Sequence, residues 1–127
     1  MTSPWILTGA LCCALSVTAG AFGAHGLKAH LDAENLQRWE VAARYLIYGG
    51  FGQIAIGLVA LHRATQDLDP GSLGVAGASL LVGSLVFSST VFAIALGAPR
   101  WLGAITPLGG LGMILGFVLL AWDAFRL

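Results

Sequence analysis

The chain has 127 residues, of which 57% are hydrophobic and 9% charged, and its mean hydropathy is +0.86. A soluble domain carries about a quarter of its residues charged, so a water-soluble enzyme is excluded and one membrane-embedded unit is expected. Six basic and six acidic residues sum to a formal charge of zero, which leaves no basic field for nucleic acid.

The first apolar run, PWILTGALCCALSVTAGAFGA from Pro4 to Ala24, carries no formal charge. At about 20 residues it is long enough, as a helix, to cross a hydrocarbon core roughly 30 Å thick. No Lys or Arg precedes Trp5 and the run is span-length, unlike a secretory signal, so it is expected to persist as helix one, about 4–24. Pro4 suits a first turn that needs no amide donor. Cys12 and Cys13 are adjacent and point to different faces, which suits neither a disulfide nor a shared metal.

From His25 to Arg44 the character changes. This stretch holds Lys28, Asp32, Glu34, Arg38, Glu40 and Arg44, half of the formal charges. Asp32 can cap a new helix, and Glu34/Arg38 and Glu40/Arg44 are spaced as i,i+4 pairs. Leu36, Trp39 and Ala43 share one side. A short amphipathic helix in the interface, about 32–44, is predicted, turning or continuing into helix two, about 45–62. Arg63, Asp67 and Asp69 then lead to the Pro70-Gly71 turn. Helix three is predicted at about 73–96 and helix four at about 102–122, separated by GAPRW. The predicted fold class is all-α: an integral membrane four-helix bundle, one transmembrane domain over 1–127, with both termini on one side.

Trp5, Trp39, Trp101 and Trp122 fall at span ends, two on each surface, where amphipathic rings prefer to sit. Counting Lys and Arg alone, Lys28, Arg38, Arg44 and Arg100 lie on the loop side, and Arg63 and Arg126 on the side of the termini. That bias places the His25–Arg44 loop in the cytoplasm, or the equivalent compartment, and the termini outside.

Polar groups in hydrocarbon are costly and therefore informative. Measured from the loop surface at the helical rise, Thr106 lies roughly 6 Å deep, Ser88–Thr90 about 10 Å and Gln53 about 12 Å. Tyr45, Tyr48 and His25 are shallower. The half of the bilayer facing the termini is nearly bare apart from Thr8, and Arg63 is assigned to the far surface, uninvolved. Pro107 has no amide hydrogen, so GAITPLGG is expected to hold irregular backbone facing protein, with Gly103, Pro107, Gly109 and Gly110 forming a kink and close packing. Gly112 and Gly116 add a GxxxG spacing. His25, Arg44, Tyr45, Tyr48, Ser88 and Thr106 are therefore expected to converge on a polar ligand pocket beneath the interfacial helix. An anionic ligand such as a lipid head group suits Arg44, with His25 beside it.

No three-His metal site is expected, because His25 and His30 are five apart and His62 lies on the other surface. Neither a Ser-His-Asp set nor a phosphate-cradling loop is present, so no catalytic residue, metal or cofactor is assigned. The expected function is non-enzymatic. The protein would pack with itself or with a larger membrane complex and bind membrane lipids, with no nucleic-acid partner. A small-solute or proton transporter ranks second and a membrane enzyme third, since few intramembrane charges leave little for a conduction path.

Three motifs carry a resemblance. GAFGAHGLK (Gly20–Lys28), AARYLIY (Ala42–Tyr48) and GAITPLGG (Gly103–Gly110) resemble, in order and spacing, the signatures of the YgdD/YwdK-like family of small four-helix membrane proteins. The resemblance implies a four-helix membrane fold, seen in bacteria and in mitochondria-bearing cells, and brings no activity, substrate or cofactor. The chain departs from the family pattern at Leu46 and Gly49, where that family often has a polar residue and a histidine. It departs again at Phe92, where it loses a phenol.

Overall fold

The computed structural model describes residues 3–126. It is all-helical: α1 (Pro4–Phe22), a π-helical turn (Gly23–Leu27), α2 (Ala33–Thr65), α3 (Leu73–Ala95), a 3-10 turn (Arg100–Ala104) and α4 (Thr106–Phe125). Four helical segments are long and apolar enough to cross a membrane.

Local chemistry sets the helix starts. Ser3 accepts from the Ile6 amide at 3.4 Å with Pro4 in the first turn of α1, and Asp32 accepts from the Asn35 amide at 2.8 Å to cap α2. The charged segment 33–44 is the beginning of α2, one helix of 33 residues. At 1.5 Å per residue that is about 50 Å, more than a bilayer core needs, so its first turns extend the second span outward. Pro107 starts a helix rather than bending one. Lacking an amide hydrogen it fits the first turn of α4, and the irregular backbone is the 3-10 turn before it.

The helices pack antiparallel in chain order: α1 on α2, α2 on α3 and α3 on α4. α4 touches α2 sparsely, and among the described residues α1 and α4 do not meet. Small residues bring the backbones close, as membrane helices require. A Cβ on Gly9 would lie 2.6 Å from the Gly50 carbonyl, and one on Gly83 would lie 2.6 Å from the Gly109 carbonyl. Ile56, Leu73, Ala76, Leu80 and Met113 form the core where α2, α3 and α4 meet. The outward faces leave Leu7, Leu11, Val82, Leu111 and Val118 exposed, a cost in water but none against lipid tails.

Polar side chains add fixed points. Ser16 of α1 and Ser88 of α3 donate to the successive carbonyls of Ala43 (2.6 Å) and Ala42 (2.8 Å), gripping α2 from two sides. Gln53 is fully buried. Its Oε1 accepts from Thr8 Oγ1 at 2.7 Å and its Nε2 donates to the Gly49 carbonyl at 3.1 Å. It stands midway between Arg44 and Arg63, about 14 Å from either along the helix, so the mid-membrane polar group is satisfied inside the protein.

The tryptophans divide. Trp101 and Trp122 are exposed at span ends as expected, and Trp5 is half-buried. Trp39 is instead a packing residue, only 9% exposed. Its indole donates to the Ala19 carbonyl at 2.7 Å and lies 4.4 Å from the Phe92 ring centroid. Gly23 makes room for it, since a Cβ there would meet Trp39 Cδ1 at 2.6 Å.

Candidate functional site

The six candidate residues share the loop end of the molecule, but the structure does not join them in one pocket. His25 sits in the π-helical turn, exposed. Arg44 is exposed on α2, and the Glu40–Arg44 pair expected from spacing does not form: among the described residues the single ion pair is Glu34–Arg38 at 2.7 Å. Ser88 is buried and committed to the Ala42 carbonyl. Thr106 shares a hydrogen bond of 2.7 Å with Thr90, tying the start of α4 to α3.

Tyr45 and Tyr48 do come together, with ring centroids 5.4 Å apart and edge-on. Tyr45 also stacks on Phe87 of α3 at 4.2 Å and 17°. These rings form the back of a groove of about 560 Å³ between α2 and α4, completed by Phe51, Gly110, Met113, Ile114 and Phe117. That volume suits a small-molecule or lipid-chain site. Its walls are apolar apart from the two phenols, so it is not the polar pocket that the depths of the side chains suggest. Arg44, Tyr48 and Phe51 are spaced i, i+4 and i+7, one stripe of α2. The exposed guanidinium therefore stands at the head of the groove.

Of the glycines assigned to a kink, only Gly109 is a point of close approach, where a Cβ would lie 2.5 Å from the Phe87 amide nitrogen. A Cβ on Gly110 would find Phe87 at 3.8 Å, ordinary contact, so this glycine is a wall of the groove. Gly103 is exposed, with only Ile94 near its missing Cβ, at 3.8 Å.

The other end of the molecule is richer than the sequence suggests. Arg63 is 7% exposed and Asp123 fully buried. Arg63 donates to the main-chain carbonyls of Asp69 (2.7 Å) and Asp123 (2.8 Å). The Asp123 carboxylate accepts from the amide (3.1 Å) and hydroxyl (2.7 Å) of Ser72, at the start of α3. Arg63 Nε and Asp123 Oδ1 are buried without a hydrogen-bond partner. Arg63 is thus an internal latch, not a far-surface charge. The signal available in sequence was the lone Asp123 within an apolar span end. Among the described residues no group of His, Cys, Asp and Glu is placed to hold a metal.

Comparison with known proteins agrees with this architecture. The family model described as "Protein of unknown function (DUF423)" matches residues 19–110, a range that contains all three motifs. A UPF0382 membrane protein of Staphylococcus haemolyticus is 40% identical over 96% of this chain and 95% of its own length. One from Staphylococcus saprophyticus is 37% identical over 97% of this chain and 98% of its own length. The UPF0382 membrane protein YwdK of Bacillus subtilis is 32% identical over 96% of each. No solved structure matches. With four spans, matching motifs and relatives aligned over nearly their whole length, this chain is a small membrane protein that belongs to the DUF423 family.

Proposed function

We propose that the chain is a non-enzymatic integral membrane protein that holds an anionic lipid head group at its loop-side surface, packing there with itself or within a larger membrane complex. The observation that carries this reading is Arg44. It is exposed and makes no ion pair or hydrogen bond among the described residues, yet it adjoins the Tyr45–Tyr48 pair at the head of an apolar groove. A cation at that depth seeks a phosphate or the head-group layer. The excess of Lys and Arg on the loop side supports an orientation with that loop in the cytoplasm and the termini outside, and the bacterial relatives named as membrane proteins support a bacterial inner membrane. Transport ranks second, because the mid-membrane groups Gln53 and Thr8 bond each other.

The test is native mass spectrometry of protein extracted in gentle detergent and supplied with phosphatidylglycerol or phosphatidylethanolamine. Wild type should retain phosphatidylglycerol preferentially. Arg44→Ala should lose about fivefold of that retention, the scale of one basic residue near an anionic surface. Arg126→Ala, exposed at the opposite end, should not change it. Equal retention by all three proteins would refute the reading.

A further inference from the structure

We infer that the groove between α2 and α4 is the seat of one acyl chain of that lipid, which makes the ligand a membrane-resident phospholipid; the head-group half of this assignment rests on the function proposed for Arg44. The groove has a mouth and a floor. Its mouth lies at Tyr48, one turn from Arg44. Its floor is Phe117, whose ring occupies the space over Gly52, where a Cβ would meet Phe117 Cε1 at 2.8 Å. From Gly110 to Phe117 the α4 wall runs about 10 Å, seven residues at the helical rise. That is the depth of one leaflet rather than of the bilayer.

The length selects the occupant. A spanning helix from a second copy crosses the whole core, about 30 Å, so a groove with a wall of about 10 Å would seat only about a third of it. An acyl chain from the loop-side leaflet enters beneath its own head group and ends where the groove ends. The walls match such a chain. Phe51 and Ile114 are exposed, Phe87 is fixed by its stack with Tyr45, and Gly110 contributes no side chain. The pinned end explains why a groove exists. Arg63 and Asp123 hold α2 to α4 near the termini, while toward the loop side α4 is tied to α3 by Thr90 and Thr106 and the gap to α2 stays open.

The experiment uses the full chain in vesicles containing phosphatidylglycerol with a photoreactive diazirine near the middle of one acyl chain. Adducts are mapped by peptide mass spectrometry. They are expected on Tyr48, Phe51, Ile114 and Phe117, and two variants that fill the groove, Gly110→Leu and Ile114→Trp, should each lower that labelling about fivefold. Adducts spread equally over Leu7, Leu11 and Leu15 of α1 would overturn the assignment. So would a disulfide forming between copies that carry Phe51→Cys and Ile114→Cys, which would put a second copy in the groove. Arg44→Ala separates the two readings. If groove labelling persists and retention of phosphatidylglycerol is unchanged in that variant, the head-group reading fails and the acyl-chain seat stands. If retention falls in that variant but wild-type adducts avoid the groove, the head-group reading stands and the seat is overturned.

Discussion

Arg63 reaches across to Asp123 and bonds its main-chain carbonyl, not its carboxylate, at 2.8 Å. The carboxylate turns instead to Ser72 and accepts from its half-buried amide at the start of α3, where an anion is favoured by the helix dipole. One arginine thus ties α2 to α4 and to the α2–α3 turn, and one aspartate ties α4 to α3. The two opposite charges share no ion pair, and Arg63 Nε and Asp123 Oδ1 are left without a hydrogen-bond partner.

Arg63→Ala should therefore destabilise the protein, by about 2–3 kcal/mol, since hydrogen bonds from a charged donor to two main-chain carbonyls, that of Asp123 buried, are lost. Asp123→Ala should fall in the same range, and Asp123→Asn should cost less because its amide oxygen still accepts from Ser72. Arg126→Ala should stay within about 0.5 kcal/mol, as surface substitutions do. Thermal unfolding in detergent, followed by intrinsic fluorescence, checks the order. Equal midpoints for Arg63→Ala and Arg126→Ala would remove the latch.

Two neighbouring glycines should answer differently to one substitution. Gly109→Leu forces a side chain against the α3 backbone at Gly83 and Phe87, and it should cost at least about 1–3 kcal/mol, the scale of overpacking. Gly110→Leu projects into the groove and should change the unfolding midpoint little. Gly71, outwardly an innocuous turn residue, should not tolerate leucine. Its φ is +62° and a Cβ would lie 2.6 Å from Asp123 Oδ1, so strain and the buried carboxylate both oppose it. Parallel midpoints for the Gly109 and Gly110 variants would contradict the packing described.

Orientation is open to direct labelling. Gln37 and Gln66 are both exposed, one near the start of α2 and the other at its end. With the loop in the cytoplasm, Gln66→Cys should react with an impermeant thiol reagent added outside intact cells, and Gln37→Cys should react only after lysis. Cys12 and Cys13 lie within α1, out of reach of such a reagent. The reverse pattern would invert the proposed topology.

The number of spans, their apolar length and the Asp32 cap were legible in the sequence because they depend on local chemistry. A charge-free run of about 20 residues has few alternatives to a span. Asp32 caps whichever helix follows it; the start of α4 was not legible in this way, since Pro107 was expected at a kink inside a helix from about 102 and lies instead in the first turn. Spacing put both Glu34–Arg38 and Glu40–Arg44 one turn apart, and only the first forms a bond. What sequence could not decide is which polar groups find partners across helices. Arg44 and Arg63 read alike, each at the end of an apolar run, yet Arg44 is exposed without a partner and Arg63 is buried with two carbonyls. The difference depends on the backbones of Asp69 and Asp123, which arrive beside Arg63 only when three helices are packed. Trp39 likewise reads as an interfacial ring until Ala19 and Gly23 are placed against it. Depth along a helix follows from residue number, at 1.5 Å per step, but azimuth, and with it the choice between lipid, groove and partner helix, is fixed only by tertiary packing.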